Sequence, residues 1–361
     1  MKAAILNAAP GRLEFEELDI DVAGPREVRI RTAAVGLCHT DLHYVDALWR
    51  TELPEVLGHE ASGIVESVGS DVTAVAPGDH VVTCMTAFCG RCRYCIAGRL
   101  TLCSNHSRLR SRPQPALTTK AGRAVGRMGG IGGFAEQMLV HENSVVRVDD
   151  SVPLDRASLL GCATITGVGA VWHSARIEPG SSVAVIGCGG VGLSVIQGAR
   201  LAGAARIIAI DVDQRSIDQA LRVGATASVN AAEIEPVDAV RALCPGGVDY
   251  SFEAIGRRVT VEQAFSMLAP GGVATVLGMV PDDEPLRITA SELFFQEKRL
   301  QGSLLGSNQF PTDIPRLAEL YVQGRLELDE MISLRVPFGE INTGIAALRE
   351  GGVNRVVVEF A

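Results

Sequence analysis

Early in the chain the apolar positions fall in short runs: Met1–Leu6, Glu27–Val35, Gly63–Val68, His80–Thr83 and Glu136–Val140. Gly, Pro and Asp bound these runs, and several alternate with a period of two, which predicts half-buried antiparallel strands. Ser111–Gly133 carries Arg, Pro and Gly without a sustained period and is expected to be a long loop, of the kind that is usually functional inside a compact domain. After about Thr164 the texture changes. Ser182–Ile186 predicts a buried strand, Gly190–Ala202 a helix, Arg206–Ile210 a strand and Ile217–Val223 a helix ending at Gly224. Val248–Glu253 and Val273–Leu277 follow as strands around a helix over Val259–Leu268. Strand and helix alternating at short intervals predict a doubly wound parallel sheet. Pro311–Gln323 and Ile341–Glu350 then read as helices, and Arg355–Phe360 as a closing strand.

Ser181–Ala199 carries no charge and is long enough to cross a bilayer. Its glycines split it around Gly187–Gly190 into a β-branched run and a helical run, so a strand, turn and helix are expected instead. The N-terminus shows no apolar segment of the signal-peptide kind. A chain of 361 residues exceeds one ordinary core and predicts two domains. Hydrophobic residues make up 47% and aromatics 4%, with 39 glycines, which fits an α/β protein with aliphatic cores and glycine turns. The net charge of −9 argues against a nucleic-acid partner. Nine cysteines are an odd number for a disulfide framework, and their clustering points to metal ligation in a reducing cytosol.

Four of them, Cys89, Cys92, Cys95 and Cys103, form the densest cluster. Two residues separate each of the first three, so one loop can wrap three thiolates around a tetrahedral ion and the fourth closes the shell. A closed four-thiolate zinc site is structural, because it leaves no position for a substrate.

Gly187-Cys188-Gly189-Gly190-Val191-Gly192 is a G-x-G-x-x-G sequence between a predicted strand and a predicted helix, with Asp211 ending the next strand. In that context it reads as a dinucleotide-binding turn. Gly187 makes the tight turn, Gly189 admits the pyrophosphate to the backbone, and Gly192 lets the helix pack close. The pyrophosphate sits on the helix start near Gly190 and Val191. A carboxylate at Asp211 accepts from the ribose hydroxyls and repels a 2′-phosphate, which favours NAD over NADP.

Three more groups stand out: Cys38 in Cys-His-Thr-Asp-Leu-His, His59 in Gly-His-Glu, and Cys162 in Gly-Cys-Ala-Thr-Ile-Thr-Gly. Spacing alone does not join them. Gly58-His59-Glu60-Ala-Ser-Gly63, followed by Gly69, resembles the signature of zinc-containing alcohol dehydrogenases of the medium-chain dehydrogenase/reductase superfamily. The likeness spans nearly the whole chain, with the four-cysteine lobe and the nucleotide turn in the family's order.

The resemblance implies an α/β fold: a GroES-like, mostly-β catalytic domain over 1–163 and 305–361, and a Rossmann NAD-binding domain over 164–304. It implies two zinc ions per subunit, the catalytic one on Cys38, His59 and Cys162, with Glu60 close behind and Asp41 orienting His59. Thr40 then touches the alcohol oxygen, and His43 passes its proton to water. His39, Thr166 and Arg355 fall among the cofactor-binding positions, and Trp49, Met85, Met128, Met279 and Leu304 among the pocket positions. An apolar wall of that kind favours primary alcohols with hydrocarbon or aromatic tails, and their aldehydes. The runner-up is glutathione-dependent formaldehyde dehydrogenase, and a reading of another class is a non-catalytic dehydrogenase homologue. Polyol dehydrogenases generally carry a glutamate where this chain has Cys162. A homo-oligomer is expected, a dimer in preference to the tetramer of other members, with strands near Leu293–Leu304 at the interface.

Overall fold

Contacts divide the computed structural model, which describes residues 1–361, into two compact units. One is Met1–Ala163 with Gln309–Ala361, and the other is Thr164–Asn308. The first begins with ten strands: β1 (Lys2–Leu6), β2 (Leu13–Ile20), β3 (Glu27–Leu37), β4 (Glu55–Val56), β5 (Glu60–Val68), β6 (His80–Thr83), β7 (Leu117–Thr119), β8 (Ala124–Arg127), β9 (Gln137–His141) and β10 (Val145–Arg147). In the order β1-β2-β7-β8-β4 five of them close into a small barrel. Its core includes Ile5, Leu13, Leu18, Leu117, Val125 and Phe134.

Two parts of this barrel depart from the sequence pattern. Ser111–Gly133 is not one long loop, because β7 and β8 lie within it as an antiparallel hairpin with Leu117 opposite Val125, both buried. Strands of three and four residues are too short to show a period. Leu13–Ile20 carries four acidic residues and buries only Leu13 and Leu18, so its alternation is broken as well.

The second unit is a six-stranded parallel sheet: β11 (Ser182–Ile186), β12 (Arg206–Asp211), β13 (Ala227–Asn230), β14 (Val248–Glu253), β15 (Leu268–Val276) and β16 (Arg299–Gly302). Its order is β13-β12-β11-β14-β15-β16, the doubly wound arrangement. The order reverses between β11 and β14, so the carboxyl ends of these neighbours flank the switch point where dinucleotides bind. The uncharged span Ser181–Ala199 resolves into β11, a turn and the start of the helix Gly190–Leu201. No helix is long and apolar enough to cross a membrane. Leu293–Leu304 is not one strand: the helix Ala290–Phe295 ends there, and Glu297 takes a left-handed φ of 51° before β16 begins.

The chain re-enters the first unit at Gln309 rather than at 305. Leu304–Ser307 stays with the second unit because the Ser303 and Ser307 hydroxyls bond that of Ser174. Gly306 also packs so closely on Thr166 that a Cβ there would lie 2.4 Å from its carbonyl oxygen. The last strands are β17 (Ile332–Pro337) and β18 (Arg355–Glu359). They complete a seven-stranded sheet in the order β10-β6-β5-β3-β18-β17, with β9 also paired to β3. Antiparallel pairing of Val356 with Leu37 carries Arg355 to the end of β3.

Candidate active site

Cys38 follows the last residue of β3 and caps the helix His39–Val45. His59 precedes β5, after Gly58 at φ 84°, where a side chain would strike the Phe134 ring at 2.4 Å. Cys162 follows Gly161, which has no room for a Cβ because the Thr83 carbonyl would lie 2.3 Å away. These turns converge three buried donors whose ligand atoms all lie within 4.8 Å of one another. Zinc–sulfur and zinc–nitrogen bonds of about 2.3 and 2.0 Å place tetrahedral donors about 3.5–3.8 Å apart, so the set suits zinc with one position open. The Cys162 thiol donates to Cys38, which holds Cys38 well below the ordinary thiol range and pushes Cys162 well above it.

Asp41 joins two of the ligand segments. Fully buried, it accepts from the Cys38 amide through Oδ2 (2.9 Å) and from the Gly58 amide through Oδ1 (3.2 Å). The same Oδ1 lies 3.5 Å from His59 Nδ1. Behind the cluster, Glu60 Oε1 accepts from the Ala163 amide and stands 3.9 Å from Arg355 Nε. Gly36 makes room for it, since a Cβ there would meet Glu60 Cδ at 2.8 Å. Burial pushes the Glu60 carboxyl up to about 7, against the pull of the Arg355 guanidinium. Arg355 is 2% exposed and also donates to the Leu37 carbonyl. It thereby ties Glu60 to the end of β3, next to the candidate donor Cys38.

The helix after Cys38 carries exposed His39, half-buried Thr40 and half-buried His43. His43 Nδ1 is buried without a partner, and desolvation lowers the imidazole below its ordinary range. The His43 carbonyl accepts from the Leu48 and Trp49 amides, and the Trp49 ring stands edge-on to the imidazole with centroids 4.7 Å apart. Met85 is partly buried, with its Sδ 2.8 Å from where a Gly129 Cβ would be. Met128 is 3% exposed and belongs to the barrel core, where β8 turns back, rather than to an accessible wall. Met279 and Leu304 are more than half exposed on the second unit.

Cys89, Cys92, Cys95 and Cys103 form the second donor set. The four-residue helix Arg93–Ile96 starts at Cys92, and Cys95 Sγ lies 3.5 Å from Cys92 Sγ and 3.9 Å from Cys89 Sγ. Main-chain amides of Cys89, Cys92 and Asn105 point at the sulfurs at 3.3–3.4 Å. Backbone donors, with Cys95 first, draw Cys92 down to about 5, and those of Arg91 and others bring Cys89 to about 7. These donors favour thiolates and complete a four-sulfur shell suited to zinc. None of the nine cysteines is in a disulfide.

In the second unit the glycine turn follows β11. Gly187 has φ 90°, and a Gly192 Cβ would lie 1.7 Å from the Gly187 carbonyl oxygen. Both glycines are therefore demanded by the chain's own packing. Gly189 is different: its φ is −74° and a Cβ would meet nothing within 4 Å. The open space lies at the N-terminus of the helix Gly190–Leu201, the place suited to a pyrophosphate. Asp211 at the end of β12 accepts from the amides of Cys188, Val212 and Asp213. Thr166 is buried with its hydroxyl unpartnered. Sequence reasoning passed over Glu253, which ends β14, is fully buried and leaves Oε2 without a partner.

Residues 24–150 match the family model of the alcohol dehydrogenase GroES-like domain, and residues 190–319 that of zinc-binding dehydrogenases. The chain is 35% identical to alcohol dehydrogenase-like 6 of Arabidopsis thaliana over 99% of its own length and 95% of the relative's. Among solved structures, benzyl alcohol dehydrogenase of Acinetobacter calcoaceticus superposes with a TM-score of 0.92 at 31% identity, covering 100% of this chain and 99% of that one. A zinc-binding dehydrogenase of Sinorhizobium meliloti, solved bound to NADP, gives 0.84 at 31% identity over 99% and 98% of the two chains. A GroES-like unit with three convergent donors suited to zinc, a four-cysteine lobe and a doubly wound sheet with its glycine turn agree with these matches, and the chain belongs to the zinc-containing alcohol dehydrogenases of the medium-chain dehydrogenase/reductase family.

Proposed function

We propose that this protein is an NAD-linked, zinc-dependent dehydrogenase that interconverts primary alcohols bearing apolar or aromatic tails with their aldehydes. The observation that carries the reading is the convergence of Cys38, His59 and Cys162 as three buried donors with a fourth tetrahedral position left for oxygen. A zinc ion held by Cys38, His59 and Cys162 would supply a Lewis acid for the alcohol oxygen, and a nicotinamide cofactor in the dinucleotide crevice would supply the hydride acceptor. Two thiolates and a neutral imidazole cancel the charge of the ion. Thr40 orients the alcohol hydroxyl, its Oγ1 accepting that proton as it passes its own hydroxyl proton on toward His43. His43 receives the relayed proton as a general base and releases it to water. A second zinc on Cys89, Cys92, Cys95 and Cys103 holds its lobe together.

The likeness to a benzyl alcohol dehydrogenase supports an aromatic tail, as do the apolar Trp49 and Met85. Asp211, fixed by three backbone amides, supports NAD by repelling a 2′-phosphate. The NADP-bound relative, together with exposed Arg215 beside Asp213, supports NADP as the second reading. Phe294 and Phe295, 77% and 80% exposed beside the edge strand β16, support a homodimer. Nine unpaired cysteines suit a reducing cytosol.

A panel of straight-chain, benzylic and allylic alcohols, assayed with NAD and NADP and with and without glutathione, tests the reading. Each buried methylene contributes roughly 0.8 kcal/mol, so kcat/KM should climb about fourfold per carbon before levelling off. Turnover of S-hydroxymethylglutathione alone, or ethanol as the best substrate, would sink the apolar-tail assignment.

A further inference from the structure

We propose that Glu253 is a positioning residue that holds the nicotinamide side of the dinucleotide crevice in its binding shape, an inference that rests on the nicotinamide-linked reading above. It stands between Ile186 of β11 and Val276 of β15 in the parallel ladder, at the carboxyl end of β14. That is the switch point. The glycine turn after β11 takes the pyrophosphate and Asp211 on β12 faces the adenosine ribose, so the other half of a dinucleotide extends over the ends of β14 and β15.

Glu253 gathers the loops that form this second half. Its Oε1 accepts from the Ile255 amide (3.0 Å), the Gly256 amide (2.7 Å) and the Thr260 hydroxyl (2.7 Å). Its carbonyl accepts from the Leu277 and Gly278 amides at 2.8 and 3.1 Å. The side chain thus shapes the loop after β14 while its own backbone holds the loop after β15. These loops touch without space for a methyl group: a Cβ on Gly278 would lie 2.0 Å from the Gly256 nitrogen and 2.6 Å from Glu253 Oε2. A Cβ on Gly256 would lie 2.6 Å from the Met279 nitrogen. The same assembly presses on the glycine turn, since the Ala254 amide bonds the Ile186 carbonyl and a Gly187 Cβ would meet Ile255 at 2.6 Å. The carboxyl group thus fixes the loop after β14, and that loop packs against the loop after β15 and the glycine turn after β11. Oε2 is buried against Gly278 with no partner, so replacing it with an amide nitrogen puts two donors where nothing accepts.

The test measures binding of NADH and of ADP-ribose, which lacks the nicotinamide, to full-length, zinc-loaded wild type, Glu253→Gln and Gly278→Ala. Both variants should weaken NADH on the order of tenfold to a hundredfold, as misplacement of a binding element by a fraction of an ångström does, and leave ADP-ribose binding unchanged. The double variant should lose little beyond either single one, because both changes act on the same contact. Equal weakening of NADH and ADP-ribose, or a lowered Tm with unchanged NADH binding, would overturn the role of Glu253. A wild type that binds neither NADH nor NADPH would instead overturn the nicotinamide reading, and this inference with it. If NADPH is the tighter ligand, the same comparison is read with it.

Discussion

Asp41 Oδ1 lies 3.5 Å from His59 Nδ1 in a fully buried pocket, while the same carboxylate takes the amides of Cys38 and Gly58. One side chain thus faces the ring nitrogen of one candidate zinc donor and holds the backbone of the two segments that carry Cys38 and His59. Supporting groups of this kind set the tautomer and basicity of a metal-bound imidazole. Asp41→Asn keeps one acceptor and loses the other. Its catalytic zinc affinity should fall about 10–100-fold, as such substitutions typically do. Competition with a graded chelator, read by metal content, checks this; unchanged affinity would free Asp41 of the role.

The two donor sets should separate in their effects. Cys95→Ser removes one of four sulfurs from a lobe whose small core is built from Cys95, Cys103, Leu100 and Phe88. Losing roughly 3 kcal/mol there should lower Tm by roughly 6–12 °C, at 2–4 °C per kcal/mol in a unit of this size. His59→Ala should leave a folded protein that retains one zinc, still binds NADH and has no measurable turnover. Thermal melts with metal analysis on both variants decide it, and equal unfolding by the two would deny the division of roles.

Asp211→Gly should narrow the gap between NAD and NADP by removing a carboxylate from the ribose position. The change also deletes acceptors for the Cys188, Val212 and Asp213 amides, so kcat/KM for NAD should fall at the same time. The ratio of kcat/KM for the two cofactors is the readout. A wild type that already uses both equally would show that Asp211 does not set the preference.

Trp49 stands edge-on to both His43 and Tyr44, with ring centroids 4.7 and 5.7 Å apart. Trp49→Ala should widen the space near the catalytic zinc, admit branched or secondary alcohols and weaken activity on small primary ones. Loss of the ring also re-exposes His43, whose imidazole desolvation now holds below its ordinary range. Steady-state kinetics on paired primary and secondary alcohols check the substitution; an unchanged preference would remove Trp49 from the pocket.

Much of this protein was legible in one dimension because its chemistry is local. The Cys89–Cys103 ligands lie within a single loop, and the G-x-G-x-x-G turn needs only the strand before it, the helix after it and the acid that follows. Four of the six parallel strands were clear because burial on both faces leaves continuous apolar runs, as in Ser182–Ile186. The short, partly exposed edge strands Ala227–Asn230 and Arg299–Gly302 carry no such run. Long-range pairing decided the rest. The barrel hairpin at Leu117–Thr119 and Ala124–Arg127 exists because closure satisfies its backbone, and its residues show no pattern alone. Met128 entered the core by that same closure. Cys38, His59 and Cys162 lie far apart in the chain, so residue spacing could not join them; the turns at Gly58 and Gly161 do. Arg355 meets Glu60 only because β18 pairs with β3, and Glu253 acquires its partners only where three strands end together. A sequence records which side chains can ligate, turn or bury. Which of them meet depends on backbone hydrogen bonds made across hundreds of residues, and those are satisfied only once the sheets have formed.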